Sequence, residues 1–307
     1  MTTSTLIEDA RRSLGRIGAF IPNIPFAQPT SVAQQRTAVR RLEQAGFGAA
    51  WINEGVGGKD VFTQLAVLAA ATDDLVFGTA VANIWARPPQ TAHGASAMLA
   101  QAFPGRFVLG LGVGYPDQAA AVGRDFNRPL ATMSAYLDEM NVPQAMTPAP
   151  GDRYARIVAA GGPKMLSLAG RDADGALPTL VPPEYTRRAR QELGPDKLLV
   201  IGLSVAADAD PDRAKAVAQH FATAVISRPG SPYAVNLARL GYTSEELSAP
   251  ADRLVDDVIG YGDARAITAK VQEHLDAGAD HVRIATIADD FGTGVDQLEE
   301  LGAHMRL

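Results

Sequence analysis

Glu54 closes the apolar run Ala49-Ala50-Trp51-Ile52-Asn53 and stands just before the glycine-rich Gly55-Val56-Gly57-Gly58. A partly desolvated carboxylate at such a strand end has its pKa raised and can act as a general acid or base. The same position also suits a carboxylate that caps the next helix or pairs with an arginine. Tyr115 follows Gly110-Leu111-Gly112-Val113-Gly114. Its phenol can donate a hydrogen bond to a carbonyl or a ring edge, and an aromatic there can equally be packing. The alternate glycines strip one strand face of side chains, so that another backbone or a flat ring can come close. Barrel packing and a cofactor platform remain equal readings of that face. The run is not a dinucleotide fingerprint, because Asp117 occupies the place of the third glycine. In Ala159-Ala160-Gly161-Gly162-Pro163-Lys164-Met165 a strand meets glycines and a helix start. Backbone N–H groups and the positive helix end form an anion or phosphate site in such a turn.

Other polar residues have less context. Arg283 lies inside a strand pattern on the face of His281 and Ala285. A buried guanidinium needs a partner, either a carboxylate within the fold or an acidic ligand. Arg87 and Lys164 are exposed cations that could meet a phosphate or an acidic tail. His93 sits near the start of the helix after Pro88-Pro89, while His220, His274 and His304 fall on helical patterns and are expected to be solvated. No histidine pair has metal-ligand spacing, so no metal site is expected. Ser96 and Ser167 lack a nucleophile elbow.

The elements that must position these groups alternate. Strand patterns fall at residues 16–22, 49–53, 75–83, 106–113, 156–160, 175–180, 198–206 and 281–287, with helical patterns between them. Thr30 and Ser31 are N-cap candidates, Gly46 and Gly278 suit helix C-termini, and Asp210-Pro211-Asp212 reads as cap, first-turn proline and first-turn acid. Short, mostly apolar strands separated by helices predict an α/β fold, a (β/α)8 TIM barrel, ahead of an open doubly wound sheet. Residues 142–152 are proline-rich and predict an irregular connection. Residues 227–261 predict a helical insertion before the last strand, a lid or substrate wall or else a packing surface. The 307 residues are thus expected to form one barrel domain.

Composition removes several functions. The chain has no cysteine, which excludes thiol nucleophiles, disulfides and cysteine–zinc sites. A net charge of −6 argues against nucleic acid and anionic membrane surfaces as partners. No apolar stretch is long enough to span a bilayer, and the acidic start lacks a secretory h-region. A cytoplasmic protein acting on a small molecule is expected.

Five ordered motifs carry a resemblance. They are Trp51-Ile52-Asn53-Glu54, Gly78-Thr79-Ala80-Val81 with Arg87-Pro88, the Gly105–Gly114 run, Ala159–Lys164 with Ala169–Gly175, and Ala277-Gly278-Ala279-Asp280-His281-Val282. Together they resemble the luciferase-like monooxygenase superfamily, in particular its branch dependent on the deazaflavin coenzyme F420. The resemblance implies a barrel that binds a flavin-type ring at its C-terminal mouth. It implies a bulge in the third strand with a cis peptide at Ala80–Val81, Asn83 on the pyrimidine edge, and Gly112, Val113 and Gly114 beside the ring. Gly161, Gly162 and the N–H groups of Lys164 and Met165 would receive the phosphate, to which Pro163 can give no N–H. The branch's sugar-phosphate dehydrogenases carry Asp-His where this chain has Glu54-Gly55, and a carboxylate where it has Tyr115. Glu54 and Tyr115 are therefore the expected catalytic groups, on a substrate that is not a sugar phosphate. The resemblance further suggests a homodimer. The expected activity is hydride transfer between F420 and a small organic molecule. An FMN-dependent two-component monooxygenase and a noncatalytic flavin- or deazaflavin-binding relative are the alternatives.

Overall fold

The computed structural model describes residues 3–22 and 30–307. Its strands are β1 (Ile17–Phe20), β2 (Ala49–Ile52), β3 (Val76–Thr79), β4 (Ala82–Asn83), β5 (Phe107–Gly112), β6 (Ala155–Val158), β7 (Gly175–Ala176), β8 (Leu198–Ala207), β9 (Ile259–Gly262) and β10 (His281–Thr286). The circuit β1-β2-β3-β5-β6-β7-β8-β10 closes because β10 pairs in parallel with both β1 and β8. Helices follow the strands around its outside, so the chain is a (β/α)8 barrel. The third strand is interrupted: the Ala80–Val81 peptide is cis, and β4 resumes beyond it against β5.

The barrel interior is filled by large groups seated over glycines of neighbouring strands. Alternation along β10 turns His281 and Arg283 inward, while Val282 and Ile284 join the outer core against the helices. A Cβ on Gly78 of β3 would lie 2.2 Å from the Trp51 ring, and one on Gly18 of β1 2.5 Å from His281 Nε2. A Cβ on Gly202 of β8 would lie 2.6 Å from Arg283 Nη2. Trp51 Nε1 donates to His281 Nε2 at 3.0 Å, and His281 Nδ1 faces the Gly15 carbonyl at 2.9 Å. The N-terminal end of the barrel is stopped by the helix Thr3–Leu14, whose Ile7 and Leu14 enter the apolar cluster of Trp51, Val76, Val108, Ile157 and Val200.

Several elements differ from expectation. The pattern over 175–180 yields only Gly175–Ala176 as strand, with a single further bridge from Thr179 to Gly202. Pro178 has no N–H to extend the ladder. The stretch 227–261 contains the helices Pro232–Arg239, Ser244–Ser248 and Asp252–Val258, and it also runs into β9, a strand outside the barrel that pairs with the end of β8. Leu237, Leu254, Val255 and Val258 of this region form a second core with Ala206, Ala218 and Ile226. The helices Thr3–Leu14 and Phe291–Met305 were not evident from strand–helix alternation, because neither lies between two strands. No helix among the described residues is long and apolar enough to cross a membrane.

Candidate active site at the barrel mouth

A cavity of about 280 Å³ opens at the C-terminal ends of the strands. It brings together Glu54, Ala80, Val81, Asn83, Gly112, Val113, Gly114, Tyr115 and Gly161 from the expected set. Gly162, Lys164 and Met165 follow Gly161 into the helix Pro163–Asp172 at its rim and are not part of the wall.

The glycine face fits the bulge. A Cβ on Gly110 would lie 2.0 Å from the Thr79 carbonyl oxygen, and one on Gly112 2.3 Å from Val81 Cγ2. Gly114 has φ +56° and would collide with Gln118 Oε1 and Asn83 Nδ2. Thr79 Oγ1 repairs the ladder there, donating to the Gly110 carbonyl at 2.6 Å and accepting from the Gly110 N–H at 2.8 Å. The alternate glycines thus admit the interrupted third strand, and Gly112 and Gly114 also present bare backbone to the cavity.

Glu54 is 7% exposed and its carboxylate is fully engaged. Oε2 accepts from the Asn83 N–H at 3.0 Å and from Arg87 Nη1 at 2.8 Å; Oε1 accepts from the Val61 N–H at 3.3 Å and from Arg87 Nη2. A carboxylate has about four acceptor sites. All are taken, which favours the arginine-paired reading of Glu54 over a general acid or base. Arg87 is correspondingly not the exposed cation expected: it also bonds Asp60 at 2.7 Å, lies 4.7 Å over the Phe62 ring and does not line the cavity. Burial opposes the guanidinium charge, but the Glu54 and Asp60 contacts outweigh it and raise the Arg87 pKa.

Asn83 is 3% exposed; its Nδ2 donates to Gln118 Oε1 at 2.9 Å and its Oδ1 accepts from the Trp85 N–H at 3.0 Å. Tyr115 points to Tyr233 of the insertion, with the two hydroxyl oxygens 3.5 Å apart, and Arg228 lies 4.3 Å over the Tyr115 ring. Burial, reinforced by Tyr115, raises the Tyr233 pKa, so this phenol holds its proton at neutral pH. At the rim, Gly162 is the N-cap of Pro163–Asp172 and offers no capping side chain, and the N–H groups of Lys164 and Met165 lie in the first turn. Arg239 Nη1 would be 2.9 Å from a Cβ on Gly162, and Asn236 Nδ2 3.9 Å from one on Gly161.

Arg283 is 6% exposed and lines the cavity. It has no carboxylate partner among the described residues: Nη2 donates to Thr179 Oγ1 at 3.2 Å, and the guanidinium lies 4.7 Å over the Phe20 ring. Burial lowers its pKa to about 10, which leaves it charged at neutral pH. The histidines lie elsewhere. His93 Nδ1 is 2.7 Å from the Tyr154 hydroxyl. His274 is buried, not solvated, because its helix face packs on Thr186, whose Oγ1 is 2.9 Å from Nδ1. Sequence reasoning did not single out Tyr233, Asn236, Arg239, Gln118 or Thr179. The proline-punctuated insertion was the only signal for Tyr233, Asn236 and Arg239, and nothing local marked Gln118 or Thr179.

The family model described as luciferase-like monooxygenase matches residues 16–281. The chain belongs to the luciferase-like monooxygenase family. A 5,10-methylenetetrahydromethanopterin reductase of Methanolobus tindarius is 26% identical to it over 92% of this chain and 90% of its own length. Among solved structures, the coenzyme F420-dependent tetrahydromethanopterin reductase of Methanopyrus kandleri superposes with a TM-score of 0.76 at 18% identity, covering 94% of this chain and 99% of that one. The oxygenating constituent of 3,6-diketocamphane monooxygenase from Pseudomonas putida, in complex with FMN, gives 0.66 at 15% identity, covering 94% and 96%. In this luciferase-like barrel the late motif around Asp280 is scaffold. Asp280 pairs with Arg11 at 3.0 Å and Arg190 at 2.6 Å and accepts from the Leu199 N–H at 2.8 Å, tying the barrel base together.

Proposed function

We propose that this protein is an F420-dependent oxidoreductase that moves a hydride between the deazaflavin and a small organic molecule. The observation that carries the reading is the mouth cavity, with a bare glycine wall at one side and the uncapped start of Pro163–Asp172 at its rim. A flat ring needs the first and a phosphate the second. A solved reductase named as coenzyme F420-dependent and a relative whose name includes coenzyme F420-dependent oxidoreductase support F420 over FMN.

The residues present fit such a group. Ala80 and Val81 would back the ring, Gly112, Val113 and Gly114 would lie along it, and the second Nδ2 proton of Asn83 would meet its polar edge. Gly161, Gly162 and the N–H groups of Lys164 and Met165 would receive the phosphate, with Arg239 beside them. The deazaflavin, when bound, would supply hydride exchange at its central ring carbon. Tyr115 and Tyr233 would donate hydrogen bonds to a substrate oxygen, with Tyr233 kept protonated by its burial. Glu54 would act through position, holding Arg87 and the Asn83 N–H so that the bulge keeps its shape. The insertion, through Pro232, Tyr233 and Asn236, would wall the cavity and exclude water.

Titration of the protein with F420 and with FMN, followed by absorption and fluorescence, tests this reading. Micromolar F420 binding with weaker FMN binding is expected. Tight FMN binding with oxygen-dependent product formation, and no response to F420, would overturn it. F420 binding without hydride transfer to any of a broad panel of carbonyls, imines, enones and alcohols, each with and without a carboxylate, would favour a noncatalytic binder.

A further inference from the structure

Arg283 is the sole cationic side chain lining the mouth cavity among the described residues, and Glu54 is the sole acid. The Glu54 charge is already balanced by Arg87. Arg283 is therefore the charge on the cavity lining that has no counter-ion among the described residues. A guanidinium offers five N–H donors. Here one hydrogen bond to Thr179 is formed, and Nε is buried without a partner. The fold makes room for this group at some cost, since a side chain on Gly202 would collide with both Arg283 Nη2 and Thr179 Oγ1, at 2.6 and 2.5 Å. The Phe20 ring beneath it can attract a cation but accepts no strong hydrogen bond. The described ionisable groups coupled to it are the Tyr233 phenol and the His281 imidazole, both neutral at neutral pH, and a neutral group does not balance a charge.

Position separates this charge from the glycine wall proposed to carry the ring. Arg283 sits on the last barrel strand, diametrically opposite the glycine-bearing fourth strand β5 in the eight-strand circuit. A buried cation without its anion is costly, and a fork of planar donors matches a carboxylate in geometry. We infer that Arg283, with Thr179, is the subsite for an anionic group on the substrate, so that the protein acts on small organic acids rather than neutral carbonyls or alcohols. This rests on the proposed ring site at the opposite wall, which leaves the Arg283 side of the cavity for substrate.

The test uses acid and amide pairs of equal shape, benzoate against benzamide and cinnamate against cinnamamide. Binding to the full-length protein is followed by calorimetry with and without F420. The wild type is expected to bind each acid at least tenfold more tightly than its amide. Arg283→Met should abolish that preference, Arg283→Lys should retain part of it, and Gly202→Ala should weaken it by displacing the guanidinium. The F420 affinity of Arg283→Met should stay within threefold of wild type. Equal or undetectable binding of acids and amides to the wild type overturns the inference, with no variant needed. So does an acid preference that survives in Arg283→Met. Loss of F420 affinity in Arg283→Met with the acid preference intact would assign the arginine to the anionic ring instead. Failure of the wild type to bind F420, with the acid preference present, would strike the cofactor reading and leave the anion subsite standing.

Discussion

The Arg87 guanidinium holds the Glu54 carboxylate through both terminal nitrogens, and the two side chains are only 10% and 2% exposed. The pair links the end of β2 to the segment after β4 and spans the bulge at the cavity wall. A carboxylate whose place at a strand end suggests proton transfer is here engaged at both oxygens by Arg87 and backbone N–H groups.

Glu54→Gln should consequently destabilise the fold. Removing one partner of a buried pair leaves the other charge uncompensated and costs about 3–5 kcal/mol; the remaining Asp60 contact to Arg87 brings the expected loss to roughly 2–3 kcal/mol. Urea unfolding measures this, and a double-mutant cycle with Arg87→Met should show strong coupling. An unchanged unfolding midpoint with abolished turnover would restore the general acid–base role.

Gly112→Ala should close the ring platform. Its Cβ would meet Val81 Cγ2 at 2.3 Å, so the wall must move. Overpacking of this kind costs about 1–3 kcal/mol. F420 affinity is expected to fall at least tenfold, with partial recovery in Gly112→Ala/Val81→Ala. Full affinity in the single variant would place the ring elsewhere.

Tyr115→Phe and Tyr233→Phe should lower kcat by about 10²-fold, the usual scale for a lost proton-handling group, and leave F420 affinity unchanged. Because each hydroxyl faces the other, the double variant should be little worse than either single one. Additive losses measured by steady-state kinetics would mean that the two phenols act separately.

Arg239→Ala should weaken F420 about tenfold while leaving the affinity of the phosphate-free deazaflavin core unchanged, since a charge-assisted contact to phosphate is the one removed. Equal losses for the two ligands would remove Arg239 from the phosphate subsite.

Two buried histidines set an acid limit on stability. Burial pushes His274 down to about 3 and His281 to about 4, against an ordinary 6.5 in the unfolded chain. The unfolded state takes up protons first, so the contribution is intact above pH 6.5 and is lost as the pH falls toward the folded values. Each histidine should remove about 1.4 kcal/mol per pH unit below 6.5. Chemical denaturation between pH 7 and 5 reads this slope, and His274→Gln should roughly halve it.

The barrel was legible because its signals are local. Short apolar runs between helices, glycines at Gly46 and Gly278, and an acid–proline start at Asp210-Pro211 each act within a few residues, and they survive into the structure. The interrupted strand was legible only through the family's motif, since nothing local to Ala80 and Val81 marks it. β9 was missed because Ile259–Gly262 is short and follows a helix directly, so that its strand character depends on the exposed end of β8.

The amino-acid sequence by itself determined the rhythm of strands and helices, the thiol-free chemistry, and the glycines that line one wall of the mouth. Tertiary structure decided the partners. Arg87 lies 33 residues beyond Glu54 and cancels its charge, while Arg283 reaches the same cavity and meets no acid. Tyr233 arrives opposite Tyr115 from an insertion 118 residues away. Residue type sets which charge or proton a side chain can carry. Whether that charge is balanced, buried or left facing a ligand depends on which distant strand closes beside it, and sequence spacing does not encode that neighbour.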